Sequence, residues 1–139
     1  MQQSSPALWA EAVASALNRA EATPNAVAQE TTESGGWSID WEGQCEGSSL
    51  WFTVYGHPTA STAEVRINEW IFAPVSLGQA EEFLFKALSG DAVLQRGVAG
   101  LGSWRLKITV GSQVIVNTDR EGSGKPETEW ELRLLQQGP

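Results

Sequence analysis

The sequence is poor in the residue types from which most catalytic and metal sites are built. It contains one cysteine, Cys45, and one histidine, His57, among 139 residues. A single cysteine excludes an intrachain disulfide and a cysteine-rich zinc site, and a single histidine excludes any site that needs two imidazoles from one chain. Basic residues are also few, since 9 Lys and Arg stand against 17 Asp and Glu, for a net charge of -8. This balance argues against binding to nucleic acid, which requires a basic face.

Long hydrophobic runs are missing as well. No window approaches the length of about 18 apolar residues that a membrane span requires, so we expect no membrane contact. Residues 7–20 are rich in alanine like a signal peptide, but no basic segment precedes them, and Glu11, Asn18 and Arg19 interrupt the apolar stretch. We therefore expect a soluble, cytoplasmic protein, with which a single cysteine is compatible.

The hydrophobic pattern predicts one α+β domain over residues 1–139. Apolar residues recur at three- and four-residue spacing after Ser5 and Pro6, which predicts a first helix that ends near Thr23. A second helix is predicted to begin after the capping residue Ser76 and to end at Gly90. Strict alternation predicts three strands before the second helix and three after it, within residues 37–42, 50–55, 63–72, 104–110, 113–118 and 130–134. We expect an antiparallel sheet of about six strands with both helices packed on one face.

Several segments are less regular. Residues 25–36 are polar and end in glycine, which predicts a flexible loop, and residues 119–126 predict a mobile loop. The third strand is long and Glu69 falls out of phase in it, so we expect a β-bulge near Asn68 and Glu69. The segment 130–134 could form a helix, but its alternation favours a strand.

Candidate catalytic groups lack the context that would activate them. Cys45 lies between Glu42 and Glu46, whose negative charge disfavours a thiolate, so we do not expect a reactive pair with His57. Asp40 and Glu42 lie two residues apart on one strand face, but such spacing is typical of a solvated strand as well as of a carboxylate pair or a metal site. We predict no catalytic residue, no metal site and no cofactor.

Tryptophan is the most unusual part of the composition, with seven residues at positions 9, 37, 41, 51, 70, 104 and 130. Most of them match the inward phase of their strands, and Trp104 in particular is expected in the core. Trp51 and Tyr55 differ, because they lie on the strand face opposite Leu50 and Phe52. That face must be covered by a helix, exposed to solvent or used for binding.

Acidic residues concentrate in the same region. Residues 1–70 carry nine acidic and two basic residues, and no basic residue occurs between Arg19 and Arg66. If the first two strands pair with their polar and aromatic side chains on one side, they form a single acidic surface with aromatic anchors, although the sequence does not fix their relative phase. The predicted partner-binding residues are Asp40, Glu42, Glu46, Trp51, Tyr55 and Glu64.

The leading hypothesis is a non-catalytic protein that binds a basic protein or peptide segment through the first three strands. The alternative is a small-molecule-binding domain or modest enzyme with a tryptophan-lined pocket between the sheet and the helices. The element order and the pI of about 4.5 resemble those of type III secretion chaperones, which are small, acidic, dimeric α+β proteins that hold an effector segment. The composition is also similar to that of bacterial immunity proteins. These resemblances imply a bacterial protein-binding module and leave a homodimer open, but they transfer no residue roles, since the predicted last strand replaces the C-terminal helix of the chaperones.

Overall fold

The computed structural model describes residues 6–31, 33, 35–45, 48–57, 59–96, 104–120 and 128–137. These residues form three helices and nine strands. The helices are α1 (Pro6–Arg19), α2 (Leu77–Leu88) and α3 (Glu129–Gln137). The strands are β1 (Thr23–Thr31), β2 (Trp37–Cys45), β3 (Ser48–Gly56), β4 (Thr62–Ile67), β5 (Trp70–Ser76), β6 (Val93–Arg96), β7 (Trp104–Val110), β8 (Gln113–Val116) and β9 (Asp119–Arg120). The predicted α+β class with antiparallel strands is confirmed.

The strands form two sheets where the sequence predicted one. Strands β1 to β5 follow one another in space as they do in the chain, and β9 adds to β5, which gives a six-stranded sheet in the order β1-β2-β3-β4-β5-β9. A second sheet, in the order β6-β7-β8, follows α2. All pairings are antiparallel.

The core lies on one face of the six-stranded sheet, which we call the inner face. Alternate residues of β2 to β5 point to this face and are buried there, because period-two hydrophobic patterns place every second side chain on the same side. Helices α1 and α2 cover the face with their own apolar stripes. Their contacts include Trp9 against Trp37, with ring centroids 5.8 Å apart, and Phe83 edge-on to Phe72 at 5.0 Å. This arrangement of α1 and α2 follows the prediction that the helices pack on one side of the sheet.

The predicted loop over residues 25–36 is wrong for its first part, because residues up to Thr31 belong to β1. This strand pairs with β2 over its whole length, from Thr23 opposite Gln44 to Thr31 opposite Trp37. Residues 27–31 are all exposed, so the strand carries no buried apolar alternation for a sequence pattern to detect. Main-chain hydrogen bonds to β2 define it instead. Residues 32 and 34 lie outside the described residues.

The predicted bulge near Asn68 and Glu69 is a chain reversal that divides the long third strand into β4 and β5. Asn68 has a φ of 52°, in the left-handed region that asparagine tolerates better than most residues. Its main-chain N–H donates to the carbonyl oxygen of Trp51 at 2.8 Å, and its side-chain Oδ1 accepts the N–H of Trp51 at 3.1 Å. Two hydrogen bonds of Asn68 therefore join the chain reversal to β3.

The predicted last strand over residues 130–134 is wrong, since these residues form α3. The helix begins with a capping box: the N–H of Thr128 donates to Glu131 Oε1 at 3.0 Å, and the N–H of Glu131 donates to Thr128 Oγ1 at 3.2 Å. Trp130 and Leu134 are buried at helical spacing, whereas Leu132, which the alternation placed with them, is 45% exposed. The alternation of large residues was thus compatible with a helix that buries only two of the three.

Trp104 and the predicted loop over residues 119–126 also differ from expectation. Trp104 is only half-buried, and the buried side chains of β7 are Leu106 and Ile108. Within the predicted mobile loop 119–126, residues 119 and 120 form β9, and the others lie outside the described residues. In the part of the chain that the structure describes, no helix is long and apolar enough to span a membrane.

Candidate functional site

The face of the six-stranded sheet opposite α1 and α2, which we call the outer face, collects most of the predicted site residues. Glu42 on β2 lies directly opposite Trp51 on β3, and Tyr55 on β3 lies directly opposite Glu64 on β4. Directly opposite residues of an antiparallel pair share a face, and so do residues two apart on one strand. Asp40 therefore joins the same face through Glu42. The relative phase of the strands, which the sequence left open, brings the five residues together.

Glu46, the sixth predicted site residue, lies outside the described residues.

The two aromatic side chains of the outer face are exposed. Trp51 is 40% exposed and Tyr55 is 44% exposed, whereas Leu50, Phe52 and Val54 between and beside them are buried on the inner face. The competing expectation, that a helix covers Trp51, is therefore wrong. A large exposed aromatic residue with a polar rim is typical of a binding surface.

The position of Trp51 is fixed through its main chain. Both its N–H and its carbonyl oxygen bond to Asn68, as described above, so neither is directed toward β2. Glu42 and Trp51 are therefore a non-hydrogen-bonded pair, the kind in which opposite side chains of an antiparallel sheet approach each other most closely. The indole and the carboxylate consequently stand side by side on the outer face.

Asp40 is oriented by its cross-strand neighbour. The hydroxyl of Thr53 donates to Asp40 Oδ1 at 2.6 Å, and Thr53 is itself only 5% exposed. This bond holds one carboxylate oxygen against the sheet. In the described part of the chain, Asp40 and Glu42 form no ion pair with a lysine or arginine.

Arg66 was not predicted as a site residue, and it lies at the far side of the same face. Its Nε donates to Glu64 Oε2 at 2.7 Å, and its guanidinium carbon lies 5.4 Å from the centroid of the Tyr55 ring. A cation held between a carboxylate and an aromatic ring combines an ion pair with a cation–π contact. The outer face thus already binds one cation that belongs to the chain.

A depression of about 290 Å³ lies on the outer face between β1 and β3. It is lined by Ala28, Asp40, Trp41, Glu42, Trp51, Phe52 and Thr53. Ala28 lies opposite Asp40 on β1. Because its side chain is a single methyl group, the depression is open toward the β1 edge of the sheet.

A second depression, of about 570 Å³, is lined by residues that include Tyr55 and Gly56. Here the ring of Trp37 lies directly against Gly56, where a Cβ atom would overlap Trp37 Cζ2. Gly56 is therefore required for the packing of the buried Trp37, and both residues form part of the wall of the depression.

The structure does not bring Cys45 and His57 together. Cys45 is buried at one end of β2, where its Sγ lies 3.4 Å from the carbonyl oxygen of Ala20. His57 follows β3 at the other end of the hairpin, and its Nδ1 is 2.7 Å from the hydroxyl of Thr59. The length of β2 separates the two side chains by about 25 Å. Among the described residues, no group of three or more His, Cys, Asp or Glu side chains could hold a metal ion.

Three residues of the site were not predicted, and the signals for them differ. Thr53 lies two residues from both Trp51 and Tyr55, and Arg66 lies two residues from Glu64, so strand periodicity could have placed Thr53 and Arg66 on the outer face. Ala28 gave no signal because it lies in the segment that was expected to be a loop.

Comparisons with protein families, with curated proteins and with solved structures found no match to this chain.

Proposed function

We propose that this chain is a non-catalytic binding protein that holds a basic segment of another protein on the outer face of its six-stranded sheet. The observation that carries the proposal is the arrangement of Arg66 between Glu64 and Tyr55. Trp51, Glu42 and Asp40 offer the same combination of an aromatic ring and carboxylates on the neighbouring strands, without an ion-pairing cation among the described residues.

The chemistry of this second combination suits a lysine or arginine side chain. A cation over the face of tryptophan gains more than one over tyrosine, and the adjacent carboxylates add charge-assisted hydrogen bonds. The aliphatic stem of the same side chain would cover the apolar part of the depression. One long basic side chain can therefore contact the aromatic ring, the carboxylates and the apolar wall of the depression.

The net charge supports a basic partner over other classes. A charge of -8, with no basic residue between Arg19 and Arg66, produces a negative potential around β1 to β3. Such a potential accelerates the approach of a basic partner and opposes nucleic acid.

The alternative, a small-molecule site lined by tryptophans between the sheet and the helices, has less support. Trp9, Trp37 and Trp41 are at most 2% exposed and pack into the core. The exposed aromatic residues Trp51 and Tyr55 lie instead on the outer face, beside Glu42 and Glu64.

A labelled nine-residue peptide of alternating lysine and threonine tests the proposal. Fluorescence anisotropy measures its binding to the full chain, to Asp40→Lys/Glu42→Lys and to the control Glu11→Lys/Asp91→Lys. Glu11 is exposed on α1 and Asp91 follows α2, so the control changes the net charge equally at positions away from the outer face.

We expect the Asp40→Lys/Glu42→Lys variant to bind the peptide at least about tenfold more weakly, with a flatter salt dependence, and the control to change binding by less than about threefold. Equal losses in both variants would mean that the peptide responds only to net charge, and the proposed site would be wrong.

A further inference from the structure

Strand β1 leaves one edge of the six-stranded sheet unpaired in the described structure. Among the strands that the structure describes, β1 neighbours β2 alone. Residues 27–31 are exposed, and Val27 is 63% exposed although it lies opposite the buried Trp41 on the inner face. The helices therefore do not extend over this edge. An uncovered edge strand presents a row of N–H and carbonyl groups that can pair with another extended chain.

The direction of these groups follows from the hydrogen bonds of Trp51. The main-chain N–H and carbonyl groups of Trp51 both bond to Asn68 and not to β2. The N–H and carbonyl groups of Glu42, which lies opposite Trp51, therefore point away from β3 and toward β1. They meet Ala26, the partner of Glu42 in β1. Main-chain groups of successive strand residues alternate in direction, so those of Val27 point outward to the open edge. The same alternation directs the N–H and carbonyl groups of residues 29 and 31 outward.

The open edge lies next to the carboxylates of the proposed site. An added strand would run about 4.8 Å beyond β1, and therefore about 10 Å from Asp40 on β2. Ala28, whose side chain is a single methyl group, is the residue of β1 directly opposite Asp40 on the outer face. A lysine or arginine side chain of the added strand can extend across Ala28 to the carboxylate.

We propose that an extended basic segment adds to the edge of β1 as an antiparallel strand over residues 27–31, with lysine or arginine at every second position on the outer face. This inference rests on the proposed function and specifies how the partner is held. Antiparallel addition matches the antiparallel pairing of the strands β1 to β5. Charge complementarity selects a basic occupant, because a second copy of the chain would bring a charge of -8 to the same edge.

The geometry predicts which amides of the partner are used. Partner residues opposite Ala28 carry the outer-face side chains, and their amides point away from β1. Partner residues opposite Val27 and Gln29 direct their amides toward β1 and form the hydrogen bonds. In the alternating peptide, the lysines take the first kind of position and the threonines the second.

Two N-methylated versions of the lysine–threonine peptide test the inference without altering the protein. One carries N-methyl groups on two threonines and the other on two lysines. We expect methylation of the threonines to weaken binding at least tenfold, because it removes donors that face β1 and places methyl groups between the strands. Methylation of the lysines should change binding by less than threefold.

A variant of the protein gives the matching test from the other side. Gln29→Pro removes an outward-facing N–H, and edge strands tolerate proline where the amide faces solvent, as Pro24 shows in β1 itself. We expect Gln29→Pro to weaken binding of the unmethylated peptide by about fivefold, the effect of one hydrogen bond, and Gln29→Ala to leave binding unchanged. The melting temperatures of both variants verify that they are folded.

The outcomes separate the inference from the proposed function. Equal binding of the two methylated peptides, with Asp40 and Glu42 still required, would overturn strand addition and leave the outer face as the binding site. Binding that does not depend on Asp40 and Glu42 would overturn the proposed function itself. Sedimentation provides a further arm: a dimer of the unliganded chain that Gln29→Pro converts to a monomer would show that a second copy occupies the edge, and the inference would be wrong.

Discussion

Replacement of Trp51 by alanine should weaken partner binding strongly and affect folding little. The side chain is 40% exposed. A tryptophan presents up to about 250 Å² of surface, so about 100 Å² of Trp51 remains for a partner to cover. At about 25 cal/mol per Å², complete burial of this area is worth about 2.5 kcal/mol, and a cation–π contact adds about 0.5–1 kcal/mol. Because ordering of the partner opposes part of this gain, we expect Trp51→Ala to cost about 2 kcal/mol, which is roughly thirtyfold in Kd.

The loss should appear in the dissociation rate. Desolvated aromatic anchors determine the lifetime of a complex, whereas the surrounding charges determine how fast it forms. Surface plasmon resonance with the immobilised lysine–threonine peptide measures both rates, and calorimetry measures the melting temperature. Leu132→Ala is the matched control, since Leu132 on α3 is 45% exposed but lies outside the outer face. A melting temperature lowered by Trp51→Ala, with an unchanged dissociation rate, would refute the reasoning, because Trp51 would then stabilise the fold and not the complex.

Two further predictions concern the core and the unused polar residues. Trp70→Phe should destabilise the protein by about 2–4 kcal/mol, because it removes the indole donor to the buried Glu131 at 2.7 Å. Trp41→Phe should cost only about 1 kcal/mol, because the Trp41 indole N–H has no hydrogen-bond partner among the described residues. Chemical denaturation compares the two variants, and equal losses of stability would contradict the expected difference. Cys45→Ser and His57→Ala should each leave peptide binding within about threefold by anisotropy, since Cys45 is buried and His57 lies beyond the end of β3, away from Asp40 and Glu42. A hundredfold loss of binding in either variant would contradict the proposed location of the site.

The strands that carry the site were predictable because they are half-buried. Leu50, Phe52 and Val54 face the core and alternate with Trp51 and Tyr55, and such alternation defines both the strand and its two faces. The pairing of β2 with β3 was also predictable from their succession in the chain. Their relative phase was not predictable, since the sequence does not show which residues of β3 lie opposite Asp40 and Glu42. A shift of one residue would have moved both carboxylates to the other side of the sheet.

The two elements that were wrongly predicted were missed for different reasons. Strand β1 is exposed and polar, so only its main-chain pairing identifies it. Helix α3 carried a usable signal, since Thr128 and Glu131 match the spacing of a capping box and Trp130 and Leu134 match the spacing of one helical turn. The alternation of three large residues suggested a strand more strongly.

The candidate site divides in the same way. Five residues of the outer face were predicted from the sequence, because exposed-phase aromatic residues and acidic residues without nearby basic residues occurred on neighbouring strands. They are Asp40, Glu42, Trp51, Tyr55 and Glu64. The open edge beside Ala28 depended on a strand that the sequence did not predict, and so did the inference built on it. Properties of one strand face are thus readable from periodicity, whereas properties that depend on neighbouring strands require the register.

The most direct test of the account is a titration of the isotope-labelled chain with the lysine–threonine peptide, followed by nuclear magnetic resonance. We predict that the largest shifts occur at the Trp51 indole N–H and at the amides of Asp40, Glu42 and residues 27–31, while the amides of α1 and α2 remain unchanged. Shifts concentrated on the helices, or spread evenly over all acidic residues of the chain, would contradict a binding site on the outer face.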